Sequence, residues 1–420
     1  MTVRIVLAGG DLVLPGRVLP RGSLLLDGPR IEAIVEPSKG GATPEPSGAA
    51  LVDVRNCYVL PGFVDAHVHG VEGFDTLDGG DPIAGIAARL PRYGVTAFCP
   101  TTVACGPREL ARALEQVGRA RAARAEGSAR VLPAHLESNF INPKYQGAQP
   151  FDCLRLPPGL RDPAYERRAP LYGAPDGDFS ADDILNVIAS ARTDVGTVTL
   201  APELPGALAL VRTLVSAGHR VSLGHSGASF DEAIEAIEAG AGFATHLFNR
   251  MTPMTHRAPG LPGAVLARED VHAELICDGY HVHPAMCRVA IGAKGITGVM
   301  AITDGTGGSG LAPGSTAWLG GRSIRVGPRA AELEDGTLAG STLTMDGALR
   351  MLVGIIGLPL VDAAALCSTT PARALGLTGL GLIAEGAVAD IVVLDRSLRV
   401  VRTFIDGREV YVNTGAAALR

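Results

Sequence analysis

Apolar runs and polar breaks divide the chain into three stretches. At the N-terminal end, short apolar runs at 3–8, 12–14, 24–26 and 31–35 are separated by glycine and proline turns, with a longer loop at 36–48. That texture predicts the short strands of a small β unit. The C-terminal end repeats it, with runs at 391–394, 400–405 and 410–412 divided by turns at Asp395-Arg396 and Asp406-Gly407. The two ends are therefore expected to share one small β-sandwich domain, residues 1–56 with 372–420. Between them, strand-like runs at 62–65, 97–100, 130–134, 197–201, 220–223 and 298–302 alternate with helical periodicity at 110–125, 182–191, 207–217 and 230–239. Alternation of this kind predicts parallel βαβ units. The economical closure of residues 57–371 is a TIM-like (β/α)8 barrel, which makes the protein α/β in class.

The length of 420 residues supports one large catalytic domain with a smaller one, because single cores stop growing well below that size. Hydrophobic residues make up 47% of the chain and aromatics only 4%, which suits many short buried strands packed on helices. The net charge of −6 is mild, and no basic block stands beside aromatics, so no nucleic-acid partner is expected. Seven cysteines lie far apart without a Cys-x-x-Cys pair, which points away from a disulfide framework or zinc ribbon and toward a reducing cytoplasm. Residues 1–15 lack the basic-then-apolar order of a secretory signal, and Asp11 interrupts their apolar run. The most apolar later stretch, 351–366, holds Pro359 and Asp362 and falls short of the ~20 residues a bilayer requires. It reads as a buried helix and turn, so no membrane partner is expected. The Ala- and Arg-rich segment 111–130 reads as a solvated helix face.

Position carries the chemical information. Nearly every histidine or carboxylate able to bind metal directly follows an apolar strand-like run, and barrel active sites sit at that end of their strands. His67 and His69, at i and i+2 after Gly62-Phe63-Val64-Asp65, point to the same side of an extended chain. Glu137, His225 and His246 each close a further run, and Met300-Ala301-Ile302-Thr303 ends in Asp304. A lone histidine is more often a hydrogen-bonded core residue than a ligand. A set of histidines with a carboxylate suits zinc, iron or another transition ion, and three protein ligands with an open position form a catalytic arrangement. Such a metal acidifies water to a pKa of ~7 and polarises a carbonyl, the two tasks of amide hydrolysis. Asp304 is then placed to take a proton first and return it to the departing nitrogen.

The same residues carry a family resemblance over nearly the whole length. It runs through Pro61-Gly62-Phe63-Val64-Asp65-Ala66-His67-Val68-His69-Gly70, His135-Leu136-Glu137, Ile141-Asn142-Pro143-Lys144 with Gly147-Ala148-Gln149-Pro150, and Leu223-Gly224-His225. It continues through Thr245-His246-Leu247-Phe248-Asn249, Arg257-Ala258-Pro259-Gly260, Asp278-Gly279-Tyr280-His281, Thr303-Asp304 and Leu338-Ala339-Gly340-Ser341. In these the chain resembles the N-acetylglucosamine-6-phosphate deacetylases of the amidohydrolase superfamily. The resemblance implies Glu137, His225 and His246 as ligands of a divalent metal, zinc or iron, and Asp304 as catalytic acid and base. His67 and His69 match a pair that supports a second metal, with Glu137 able to bridge, which leaves one or two ions per chain open. Asn249, Arg257 and His281, with Ala148 and Arg250 beside them, are implied as the substrate-binding groups. The partner is then a small amino-sugar phosphate, and Arg257 reaching a neighbouring subunit's site implies a homodimer.

Three departures bear on specificity. Ser138-Asn139 replaces the Gly-Pro usual after the glutamate and is expected to put two polar side chains next to the metal. Arg250 stands where a small residue is usual. Gly305-Thr306-Gly307-Gly308-Ser309-Gly310 replaces an alanine- and methionine-containing stretch and, with its backbone freedom, reads as a lid. Of the remaining candidates, His135 reads as support or packing, Glu203 as an orienting group, His256 and His283 as loop histidines, and His219 and His272 as surface residues. The expected reaction is removal of the N-acetyl group of N-acetylglucosamine 6-phosphate. The rival readings are an amidohydrolase for another N-acetylated sugar phosphate, such as the galactosamine epimer, or for an N-acyl amino acid. A further rival is a barrel without catalysis that serves binding or assembly.

Overall fold

The computed structural model describes residues 4–37, 48–158 and 179–414, so most of the loop expected at 36–48 lies outside it. The chain opens with β1 (Arg4–Leu14), β2 (Arg17–Asp27), β3 (Arg30–Val35), β4 (Ala50–Asp53) and β5 (Tyr58–Pro61). The barrel strands follow: β6 (Phe63–Val68), then β9 (Val95–Thr102) beyond a small ribbon of β7 (Gly70–Val71) and β8 (Phe74–Asp75). Next come β10 (Arg130–Val131) with β11 (Ala134–Glu137), β12 (Val195–Leu200), β13 (Arg220–Leu223), β14 (Phe243–Ala244), β15 (His272–Ile276) and β16 (Val299–Ile302). A small three-stranded lobe, β17 (Thr316–Leu319), β18 (Arg322–Val326) and β19 (Ala331–Glu332), precedes β20 (Ile391–Leu394), β21 (Val400–Ile405) and β22 (Arg408–Val412).

The barrel strands pair in parallel from β6 round to β16. Closure between the ends runs through Asp304 N–H to His67 O at 3.0 Å and the bridge of Val68 to Gly305. Asp65 tightens that seam, accepting from Thr303 Oγ1 at 2.6 Å and Thr303 N at 3.2 Å. Every residue of β6, β9, β11, β12 and β16 is buried, as expected of a parallel sheet covered on one face by helices and filled on the other. The helix Pro107–Ala122 shows the sequence logic plainly: Leu110, Ala113, Leu114 and Val117 are buried at helical spacing, while the arginines of the Ala/Arg segment line the outer face. The helices Ala181–Ser190 and Phe230–Glu238 begin at capping boxes, Ser180 with Asp183 and Ser229 with Glu232, which explains their sharp starts.

The chain ends form one eight-stranded, mostly antiparallel sheet in the order β22-β21-β20-β5-β1-β2-β3, with β4 on β1. Leu7, Leu12, Leu24, Leu26, Val59, Ile391 and Phe404 fill its own core. This sheet includes β5, which lies beyond residue 56, the sequence-based edge of the small domain. The passage from sheet to barrel falls instead at Gly62, where a Cβ would stand 2.3 Å from Thr96, so only glycine lets the two strands approach. Ala372, Leu375 and Leu380 pack with Val64, Ala97, Met300 and Ile302 in the barrel interior, so the residues just after 371 also serve the barrel. No helix among the described residues is long and apolar enough to cross a membrane.

Candidate metal and active site

The candidate residues converge at the C-terminal ends of the barrel strands. Glu137 ends β11; His225 and His246 follow β13 and β14; His67 and His69 lie at the end of β6; Asp304 follows β16. Glu137 Oε1 is 2.9 Å from His225 Nε2 and 2.8 Å from His246 Nε2, and those two nitrogens are 3.0 Å apart. Asp304 Oδ1 lies 3.3 Å from His67 Nε2 and 3.2 Å from His69 Nε2, themselves 3.2 Å apart. Glu137 joins the two halves, its Oε2 standing 3.4 Å from His69 Nε2. His225, His246 and Asp304 all have positive φ, 48°, 31° and 50°. Such backbone is uncommon for side-chain-bearing residues and is kept where the surroundings over-determine it, typically at functional sites.

Electrostatics fit the residues for a cation. Burial opposes ionisation of Glu137, but His225, His246 and His69 outweigh it and hold it well below the usual carboxylate range. Burial likewise opposes charging His69 and His246, yet the carboxylates beside them, Asp304 and Glu137 for His69 and Glu137 for His246, push them up to about 10 and about 9. A buried pocket that holds imidazoles so strongly toward the cation is one where a divalent metal can displace those protons. Among the described residues three groups have the donor atoms for an ion: Glu137, His225 and His246; His67, His69 and Asp304; and His67 again with His135 and Glu274. Imidazole and carboxylate donors suit zinc or iron.

Supporting bonds place these groups. Tyr145 O accepts from His225 Nδ1 at 2.8 Å, which turns Nε2 inward. Gln149 donates to Glu137 Oε2 and accepts from Ala104 N at 2.7 Å. Glu203 accepts from Asn142 Nδ2, Ser226 Oγ and Gly227 N, and so orients the loop that follows His225. Gln149 was not singled out by sequence reasoning, although it sits in a matched motif. Glu274 was missed entirely. It stands on β15, fully buried, 3.0 Å from His67 Nδ1 and 3.5 Å from His135 Nδ1. The apolar–polar alternation Val271, Ala273, Leu275 around it was the signal.

The substrate candidates divide. His281 is near the centre, its Nδ1 2.6 Å from Asp278 Oδ2. Burial opposes its charge, but Asp278 and Asp304 raise its pKa overall. Asn249 is half-buried, its Nδ2 donating to His246 O at 3.2 Å. Arg250 is exposed and leans on Gly147, where a Cβ would come within 2.8 Å of Arg250 Nε. Ala148 packs its side chain on the lobe's core and gives its carbonyl to Arg322 at 2.9 Å. Arg257 stands exposed on the Thr255–Ala258 turn.

Several expectations are corrected. Ser138 and Asn139 do not face the metal donors: Ser138 Oγ bonds Thr199 O at 2.5 Å, and Asn139 Nδ2 bonds Cys105 O and Cys153 O, each at 2.7 Å. Both satisfy buried backbone carbonyls behind the site. The Gly305–Gly310 segment is not a lid. His69 N and Gly70 N donate to Gly305 O, Gly73 N to Gly307 O and Glu72 N to Ser309 O, and all but Gly310 is buried. Its glycines permit close approach, since a Cβ on Gly307 would lie 3.0 Å from Trp318 O. His219 is buried, not at the surface, with Nδ1 on Val195 O at 3.0 Å, and His272 is half-buried against Phe243. His283 caps the helix Pro284–Lys294 by accepting from Ala285 N, His256 is exposed, and His135 is buried with Nε2 2.7 Å from Thr199 Oγ1.

A parallel barrel carrying histidine and carboxylate donors at the mouth of its strands is the architecture of a metal-dependent hydrolase, and comparison with known proteins agrees. The model of the Amidohydrolase family matches residues 58–410. An N-acetylglucosamine-6-phosphate deacetylase of Lysinibacillus sphaericus is 34% identical over 84% of this chain and 85% of its own length. An N-acetylgalactosamine-6-phosphate deacetylase of Escherichia coli O157:H7 is 32% identical over 87% of this chain and 90% of its own. A solved mutant N-acetyl-D-glucosamine-6-phosphate deacetylase of Mycobacterium smegmatis, in complex with N-acetyl-D-glucosamine-6-phosphate, superposes with a TM-score of 0.81 at 32% identity, over 98% of this chain and all of that one. The chain belongs to the amidohydrolase family, and within it to the N-acetylglucosamine-6-phosphate deacetylases.

Proposed function

We propose that the protein hydrolyses the N-acetyl group of N-acetylglucosamine 6-phosphate, giving glucosamine 6-phosphate and acetate. The observation that carries this reading is the convergence of Glu137, His225 and His246 beside Asp304, in a chain so closely related to deacetylases of amino-sugar phosphates. Glu137, His225 and His246 would hold a divalent metal, zinc first among the fitting ions, and His67, His69 and Asp304 a second, with Glu137 between them. When bound there, such an ion supplies Lewis acidity: it polarises a carbonyl oxygen and acidifies water to a pKa of ~7.

The chain's own residues do the rest. Burial opposes ionisation of Asp304, but His67 and His69 hold it below its ordinary pKa, so at neutral pH it is a carboxylate ready to accept a proton. It takes that proton from water as water attacks the acetyl carbon. It then delivers the proton to the sugar nitrogen as the carbon–nitrogen bond breaks, returning to its starting charge. His281, held toward the protonated form beside Asp278, suits a phosphate or sugar oxygen through Nε2. Asn249, Arg250 and the backbone near Ala148 are the further groups proposed to contact the sugar phosphate. Arg257, exposed and outside the donor group, completes the phosphate grip in a homodimer, where it serves the neighbouring subunit's site.

Asp304→Asn tests the mechanism. Acetate release should fall about 10³-fold, the scale of general acid–base catalysis, while the Glu137, His225 and His246 group keeps its ion by elemental analysis. Full turnover by the variant would rule out Asp304 as the proton carrier.

A further inference from the structure

The barrel interior beneath the site holds a chain of polar side chains whose proton directions can be worked out one by one. Ser222 Oγ is 2.6 Å from Thr245 Oγ1, which is 2.8 Å from Thr199 Oγ1, which is 2.7 Å from His135 Nε2. At its other nitrogen, His135 Nδ1 faces only acceptors, Ala66 O at 3.4 Å and Glu274 Oε1 at 3.5 Å. Nδ1 therefore carries the proton. With the proton of the neutral ring on Nδ1, Nε2 is bare and accepts from Thr199 Oγ1. Thr199, having donated, accepts from Thr245, and Thr245 accepts from Ser222. Every hydroxyl in the row is committed, and all six residues from Ser222 to Glu274, Ala66 included, are buried.

Glu274 lies beside the end of this row. Its Oε1 is 3.5 Å from His135 Nδ1, whose hydrogen bond goes to Ala66 O, while Oε2 faces His67 Nδ1 at 3.0 Å and His246 N–H at 3.4 Å. With His67 Nδ1 and the His246 N–H both turned on Oε2, Glu274 is placed as an acceptor. A carboxylate donates nothing, so the proton between Glu274 and His67 belongs to His67 Nδ1. That leaves His67 Nε2, the atom 3.3 Å from Asp304 Oδ1, with its lone pair toward the candidate cation. His69 has no such partner: its Nδ1 is buried without a hydrogen bond among the described residues.

We infer that Glu274 is the positioning residue of the His67, His69 and Asp304 half of the site, fixing His67 with its proton on Nδ1 and its Nε2 presented to a metal ion. The row from Ser222 through His135 in turn sets the Nδ1–H of His135 on the side of Ala66 O and Glu274 Oε1. This rests on the reading that both donor groups hold metal. It separates the two halves: Tyr145 and Gln149 support the side chains of His225 and Glu137, and Glu274 touches that group only through the backbone N–H of His246.

Glu274→Gln is the informative substitution, because glutamine keeps the size but must point an amide donor at His135 Nδ1–H or at the His67 and His246 donors. Wild type and variant are equilibrated with graded zinc, and bound ions are counted by elemental mass spectrometry. Wild type is expected to hold two ions per chain, and E274Q to bind one unchanged and the other 10–100-fold more weakly, the usual effect of losing a ligand's supporting hydrogen bond. Unchanged binding of both ions, or equal loss of both, would overturn the assignment. Wild type holding fewer than two ions would overturn it as well, and wild type holding none would remove the metal reading with it. A second measurement needs no variant. In nitrogen-15 histidine spectra of zinc-loaded wild-type protein, His67 should show a protonated Nδ1 and a metal-shifted Nε2; the reverse tautomer would contradict the inference even if E274Q failed to fold.

Discussion

The metal pocket and the substrate rim of this site are built on opposite principles. In the pocket, Glu137, His225, His246, His67, His69 and Asp304 are each no more than 6% exposed, and Gln149, Tyr145 and Glu274 orient Glu137, His225 and His67. On the rim, Arg250 and Arg257 stand in solvent, and only His281 has a buried ion-pair partner. The difference teaches where each part of function is encoded. The donor groups proposed for proton and metal chemistry all come together within one folded chain. On the proposed reading, the grip on a phosphate awaits what ligand or a second subunit supplies to the rim.

That contrast can be pressed from both sides. The largest effect should come from the pocket: removing metal with a chelator should abolish acetate release and lower the Tm by several degrees, because a ligand bound only by the folded state stabilises it by mass action. Zinc should restore both, whereas Glu137→Gln should stay inactive after reconstitution. On the rim, Arg257→Ala should raise KM about 30- to 100-fold with kcat nearly kept, as expected from loss of a charge-assisted hydrogen bond of about 2–3 kcal/mol. A fall in kcat with KM unchanged would mean that the rim takes part in chemistry. Arg250→Ala should be milder, about 10-fold in KM or less, because its guanidinium is solvated. The smallest catalytic effect should follow Asn139→Ala. Losing bonds to two buried carbonyls should cost about 1–3 kcal/mol of stability by denaturant melting, with kcat within twofold.

The pocket was also the more legible part of the sequence, and for a physical reason. A buried parallel strand shows as a largely apolar run, so a titratable group directly after one stands out, as His225 does after Val221-Ser222-Leu223-Gly224. Glu274 escaped because β15 is a five-residue strand with the carboxylate in its middle, and its alternation resembles that of an ordinary half-exposed strand. The loop 305–310 was misread for a related reason. Glycine signals freedom in sequence, whereas here it signals the close approach of Trp318 and Val326 backbone and side chain. Ser138-Asn139 lies next to the glutamate in sequence, but a turn sends both side chains behind the strand. No pattern in the sequence reveals which way a turn throws its side chains. The rim residues were named through family resemblance alone, since solvated arginines carry no periodic signature.

The most direct test of the whole account is the rate of acetate release by the zinc-reconstituted protein from N-acetylglucosamine 6-phosphate, set against its galactosamine epimer, unphosphorylated N-acetylglucosamine and N-acetyl amino acids. The account predicts the highest kcat/KM for N-acetylglucosamine 6-phosphate, at least about 100-fold above the unphosphorylated sugar, as the phosphate grip of about 3 kcal/mol requires. Equal rates with and without phosphate, or turnover confined to N-acetyl amino acids, would contradict it.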